Sequence, residues 1–96
     1  MSAVTANITA QNTFTSSISA SYKNAQSALN LSISGTWVAT VTLQRSFDGG
    51  TTWVDVETFG SNYEARIWEP EDGVIYRIGV KTGDFTSGTV KVRLSK

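Results

Sequence analysis

Residues 41–56, VTLQRSFDGGTTWVDV, decide the fold of this chain, because they place a tight-turn signal between two segments that alternate apolar and polar residues. Asp48 can accept hydrogen bonds from nearby backbone N–H groups, as in an Asx-turn. Gly49 and Gly50 can adopt positive φ without a Cβ clash. Trp53 can cover the turn with a large apolar surface. This stretch therefore predicts a β-hairpin.

The same alternation continues on both sides of the hairpin and predicts further strands. Turn residues recur about every ten positions, which is typical of a β-sandwich or barrel. We therefore predict an all-β protein: a single β-sandwich, jelly-roll-like, of about seven or eight antiparallel strands. The inward-facing positions are predicted to be Leu29, Leu31, Ile33, Trp37, Ala39, Val41, Leu43, Val54, Val56, Val74, Tyr76, Ile78, Val80, Val90, Val92 and Leu94.

The chain of 96 residues is expected to form one domain. Residues 1–12 are small and polar, so they predict either an N-terminal arm or a weakly held first strand, and residues 13–96 then form the sandwich. Such an arm can add a strand to the sheet of a neighbouring subunit, which makes Asn7 and Phe14 candidate partner contacts. Residues 20–28 are compatible with one helical turn.

Composition restricts the chemistry that is open to this protein. It has no cysteine and no histidine, so thiolate chemistry, the usual proton shuttle and the commonest metal ligand are missing. Eight acidic and eight basic residues balance without clustering, which argues against nucleic acid as a partner. No signal peptide or membrane-spanning segment is predicted. We expect no cofactor, no metal and no enzymatic activity.

Three groups of residues are candidate sites. Asp48 is interpreted as a turn-fixing acceptor, since a calcium loop would need more oxygen ligands at set spacings. The loop with Glu69, Glu71 and Asp72 is interpreted as an exposed turn that contacts a partner, because acid–base catalysis would require burial. Trp37 is expected in the core, whereas Trp53 and Trp68 are the tryptophans most open to contacts.

The turn also carries a motif known from other proteins. Its residues fit the pattern Ser-x-Asp-x-Gly-x-Thr-Trp, which resembles the Asp-box, a hairpin signature of sialidase propellers and of many β-rich surface proteins. A single copy in so short a chain excludes a propeller, which needs several blades. The residues that carry the motif and its turn are Ser46, Asp48, Gly49, Gly50, Thr52 and Trp53.

Residues 35–94 resemble a small β-domain of tailed-bacteriophage virion proteins. The resemblance is carried by residues 35–37 (GTW), 41–46 (VTLQRS), 48–56 (DGGTTWVDV), 76–78 (YRI) and 86–90 (TSGTV). It implies a capsid decoration, or cement, protein on the capsid surface of the virion, made in the host cytoplasm, that binds the major capsid protein or other virion proteins. It supplies no catalytic residue.

The symmetric sites of a shell favour a homotrimer, with a dimer as the alternative. A second hypothesis is a tail or fibre module that binds carbohydrate or a host receptor, which would be supported if Trp53, Tyr63 and Trp68 formed one exposed patch. A hydrolase is a third hypothesis, disfavoured by the missing His and Cys.

Overall fold

The computed structural model describes residues 3–19, 28–71 and 73–96, and its regular elements are nine β-strands. The helical turn considered for residues 20–28 lies outside the described residues except for Ala28, which begins a strand, and Asp72 also lies outside them. The strands are β1 (Ala3–Ile8), β2 (Thr13–Phe14), β3 (Ile18–Ser19), β4 (Ala28–Ala39), β5 (Val41–Ser46), β6 (Val54–Phe59), β7 (Tyr63–Trp68), β8 (Ile75–Val80) and β9 (Phe85–Ser95).

The strands form two antiparallel sheets. The front sheet has the order β1-β9-β4-β7, and the back sheet has the order β2-β8-β5-β6, with β3 also paired to β8. The hairpin β5–β6 is enclosed by the pair β4–β7, then by β2 and β3 with β8, and finally by β1 with β9. This nesting of pairs around one hairpin is the topology of a jelly roll, and the predicted all-β sandwich is confirmed.

Within the described residues, the nine strands exceed the predicted seven or eight because the segment that pairs with the outer side of β8 is divided into two short strands, β2 and β3. Both β2 and β3 pair with β8, and Thr15 continues the contact between them through its backbone N–H, which donates to the carbonyl oxygen of Ile78 at 2.9 Å. Strand β2 pairs closely with β8 at Gly79, where a Cβ atom would overlap the carbonyl oxygen of Thr13. The approach of the two backbones therefore requires glycine at this position.

The core lies between the two sheets and follows the predicted alternation. Trp37 is half-buried and packs against the margin of this core. The large side chains that are completely or almost completely buried are Ile8, Leu29, Leu31, Ile33, Val41, Leu43, Val74, Tyr76, Ile78, Val80, Val90, Val92 and Leu94.

Residues 3–8 are a strand of the molecule's own front sheet. Their register with β9 runs from Ala3 opposite Ser95 to Ile8 opposite Val90. The side chain of Ile8 is completely buried. The sequence left open whether the N-terminal segment is an arm or a first strand, and residues 3–8 form a strand.

The prediction that Val54 and Val56 face the core is wrong. Their exposed fractions are 45% and 42%, because β6 is the edge strand of the back sheet and residues 54–58 are all exposed. The register between β5 and β6 also shifts at Leu43 and Gln44. Such a bulge redirects side chains away from the simple alternation.

Candidate functional site

The turn between β5 and β6 is held by its own side chains. The carboxylate of Asp48 accepts hydrogen bonds from the backbone N–H of Thr52 at 2.9 Å and from the hydroxyl of Ser46 at 2.7 Å. These bonds lower the pKa of Asp48. The Ser46 oxygen in turn accepts the N–H of Gly50 at 2.9 Å, and Gly49 and Gly50 both have positive φ. The acceptor capacity of Asp48 is thus directed at the backbone of its own turn.

Trp53 folds over this turn and against an arginine of β8. The guanidinium of Arg77 lies 4.4 Å from the ring centre of Trp53 and 4.1 Å from that of Phe14. The Nε–H of Arg77 donates to the side-chain oxygen of Gln44 at 2.8 Å. Phe14, a predicted partner contact, is half-buried here. These contacts give Trp53 and Phe14 a packing role on the back sheet.

Glu69 is buried, which corrects its assignment to an exposed loop. Only 2% of its surface is accessible. Its carboxylate accepts hydrogen bonds from the Tyr76 hydroxyl at 2.6 Å, from Arg45 at 2.9 Å and from the backbone N–H of Glu71 at 3.0 Å. The charge is tolerated because these groups replace the water that it has lost. Glu69 is therefore unsuited to contact a partner.

The pKa values of this cluster reflect burial and hydrogen bonding together. Burial alone would raise the pKa of Glu69, but the bonds from Tyr76, Glu71 and Arg45 outweigh it and leave the pKa below its ordinary value. Burial, followed by the bond to Glu69, raises the pKa of Tyr76 to about 12. The cluster therefore favours a charged Glu69 and a neutral Tyr76 at neutral pH.

The remaining predicted contact residues that the structure describes are exposed, but Asn7 and Trp68 lie on opposite edge strands of the front sheet. Glu71 is exposed in the loop before β8, and Asn7 is exposed on the outer surface of β1. Trp68 is 61% exposed at the end of β7. The structure therefore does not gather the predicted contacts into one site.

A trough crosses the outer face of the front sheet. We call it the outer-face trough; its lining residues are Asn30, Leu31, Ser32, Glu64, Ala65, Arg66, Arg93 and Ser95, and its volume is about 800 Å³. It is open to solvent along one side and runs along β4, between β9 and β7.

Strand pairing places the polar lining residues in two rows. Ser95, Asn30 and Arg66 are opposite one another across β9, β4 and β7. The next row is Arg93, Ser32 and Glu64. The Ser32 hydroxyl donates to the Glu64 carboxylate at 2.7 Å.

Asn30, Ser32 and Arg93 are polar positions of alternating segments in the sequence, but the sequence did not predict a site here. Arg66 and Arg93 are 27 positions apart in the chain. They reach opposite walls of the same trough only because β4 pairs with both β7 and β9. Neither the sequence of β7 nor that of β9 predicts that the two strands pair with opposite sides of β4.

The three aromatic residues required by the carbohydrate hypothesis do not form one patch. Trp53 packs on Arg77 of the back sheet. Tyr63 packs on Phe59, with ring centres 5.3 Å apart, at the opposite end of β7 from Trp68. Of the three, Trp68 is the one that shares the outward-facing side of β7 with Glu64 and Arg66.

Two classes of site can be addressed within the described ranges, 3–19, 28–71 and 73–96. There, no group of three or more His, Cys, Asp or Glu side chains is arranged to hold a metal ion. No helix in these ranges is long and apolar enough to cross a membrane.

Comparison of the chain with protein-family models, curated protein sequences and solved structures gave no match. Functional proposals for this protein therefore depend on its own sequence and geometry.

Proposed function

We propose that this protein is a non-enzymatic virion protein of a tailed bacteriophage, and that it decorates and stabilises the shell of the major capsid protein. The resemblance of residues 35–94 to phage virion domains supports this role. The jelly roll is also an architecture of viral capsid domains, although a fold alone assigns no function.

The observation that carries the proposal is an exposed apolar edge on one side of the sandwich. Val54 and Val56 on β6 are 45% and 42% exposed, and Tyr63 on β7 is 49% exposed. The two strands are joined by the short turn at residues 60–62. We call the side of the sandwich formed by these two edge strands, on which Val54, Val56 and Tyr63 are exposed, the β6–β7 edge. Val54 and Val56 are two positions apart on one strand, and neighbouring exposed apolar side chains mark interaction sites.

The β6–β7 edge is better suited to a docked surface than to an added strand. Asp55 and Glu57 carry charge along β6, and the bulge opposite Leu43 disturbs its edge. Both features protect an edge strand against pairing with another chain. The capsid subunit therefore contacts the side chains of this edge.

A decoration protein of this kind stabilises a shell by mass action. Because it binds the assembled shell and not its free subunits, its binding free energy is added to that of the shell. The protein occupies symmetric sites as a homotrimer, or alternatively as a dimer. It belongs on the capsid surface of the virion.

Co-sedimentation with genome-free shells of the encoding phage tests this proposal. The wild-type protein should pellet with the shells and saturate at a fixed number of copies. The variant V54S/V56S should bind at least tenfold more weakly, because it removes apolar contact area from the edge. V38S is the matched control, because Val38 is 59% exposed but lies on β4. Wild-type protein that stays in the supernatant would contradict the capsid role.

A further inference from the structure

We propose that the outer-face trough binds an acidic saccharide, with the sugar chain along β4 and its carboxylates on Arg66 and Arg93. This activity goes beyond the capsid role and uses a different surface from the β6–β7 edge.

The shape of the trough follows from side-chain length. Its floor carries the short side chains of Asn30 and Ser32 on β4, and longer side chains rise from the flanking strands. Two strand spacings separate β9 from β7, so the walls are roughly 10 Å apart. The volume of about 800 Å³ is within the usual range of small-ligand sites.

The charge of the trough selects an anion. Arg66, Arg93 and the neighbouring Lys91 face outward, with Glu64 as the acid on the same strands. Within the part of the chain that the structure describes, the ion pairs are Arg45–Glu69 and Lys81–Asp55, so none of these three cations is paired there. An arginine fork binds carboxylates in a bidentate manner. The chain as a whole has no net charge, so this positive face is a local feature.

The floor of the trough favours a saccharide over an extended peptide. Strand β4 is paired on both sides, with β7 and β9, so its backbone cannot accept a further strand. The Asn30 amide can instead donate to and accept from sugar hydroxyls, and the Ser32 oxygen, whose proton is directed at Glu64, can accept from them. Protein interfaces usually have an apolar centre with few charges, whereas this floor is polar.

Two further side chains complete the recognition of a sugar. Glu64 is fixed by the Ser32 hydroxyl at 2.7 Å and offers a second oxygen to ligand hydroxyls. Trp68 is opposite Ala28, one outward position beyond the Asn30–Arg66 pair, and is 61% exposed. Its indole can cover the apolar face of a sugar ring at the end of the trough.

Calorimetric titration with trigalacturonate and, separately, with neutral maltotriose tests the inference. Wild-type protein should bind trigalacturonate at least tenfold more tightly than maltotriose, and added salt should weaken the binding. R66Q/R93Q should lose at least tenfold in affinity. K81Q/K96Q is the matched control, because it removes the same charge outside the trough, and its affinity should stay within about twofold. W68A should weaken binding of the same ligand.

Several outcomes would overturn the inference: no binding of trigalacturonate, equal affinity for maltotriose, or an equal loss in K81Q/K96Q. Equal or tighter binding of a triglutamate peptide or of a short oligonucleotide would assign the trough to another class of ligand and would also overturn it. The two proposals are separable, because V54S/V56S should keep saccharide binding and R66Q/R93Q should keep shell binding.

Discussion

Glu69 lies at the end of the core, and the side chains that bind it come from two different strands. Arg45 is on β5 and Tyr76 is on β8, so the carboxylate connects two neighbouring strands of the back sheet to the loop that precedes β8. Arg45 also stacks on Phe47, with its guanidinium 4.9 Å from the ring centre. Glu69 is therefore a structural residue of the fold.

Replacing Glu69 by glutamine should destabilise the protein by about 1–3 kcal/mol, because a charged acceptor of several hydrogen bonds is lost from a buried place. Urea unfolding monitored by circular dichroism measures this change. Glu71→Gln is the control, since the exposed Glu71 side chain is replaced while its backbone N–H still reaches Glu69. That control should stay within about 0.5 kcal/mol of wild type. Equal stability of both variants would contradict the role of Glu69.

The acid sensitivity of the protein should depend on the same residue. Because the folded-state pKa of Glu69 is below its unfolded value, its contribution is present above about pH 4.3 and is lost as pH falls through the folded pKa. Wild type should therefore lose more stability than Glu69→Gln between about pH 5 and about pH 2. Urea midpoints over this range give the comparison, and parallel curves would contradict it.

At alkaline pH, the stability of the protein should depend on the ionisation of Tyr76. Its pKa is raised to about 12 in the folded state, so its contribution is present below about pH 10 and is lost as pH rises through about 12. An ultraviolet phenolate titration should show that one of the three tyrosines ionises with a pKa of about 12. Ionisation of all three near pH 10 would be inconsistent with the buried Tyr76–Glu69 bond.

At the scale of elements, the alternation of apolar and polar residues correctly predicts which side chains are buried wherever one face of a strand is covered by the other sheet. Leu29, Leu31 and Ile33 of β4 all face the core, as the pattern predicts. The alternation is misleading at Val54 and Val56, because a local pattern does not show that β6 is an edge strand with little packed over it. The burial of Glu69 could not be predicted from the local sequence either, because Arg45, one of the residues that bind its carboxylate, is 24 positions away in the chain.

The first strand gives a direct test at this scale. Ile8→Ala should destabilise the protein by about 2–4 kcal/mol, because Ile8 is completely buried under β1 and its truncation leaves a cavity. Asn7→Ala, on the exposed face of the same strand, should change stability by less than about 0.5 kcal/mol. Chemical unfolding of both variants distinguishes a docked strand from a free arm, for which both changes would be neutral.

At the scale of the whole molecule, the nested strand pairs place different kinds of side chain on different surfaces. The back sheet covers its outer face with Phe14, Arg77 and Trp53. The front sheet leaves a polar, positively charged trough, and the β6–β7 edge leaves apolar side chains exposed. The β-sandwich class could be predicted from the spacing of turns, but these surfaces depend on long-range strand pairing that the local patterns do not contain. A rigid β framework that presents surfaces to neighbouring molecules is the centre of our account.

The most direct test of this account is fractionation of the virion. Particles of the encoding phage are dissociated into heads and tails, and each fraction is examined for this chain by mass spectrometry. We predict that the chain remains with the heads, at a fixed ratio to the major capsid protein. Its recovery with the tails, or its absence from purified virions, would contradict the proposed role on the capsid.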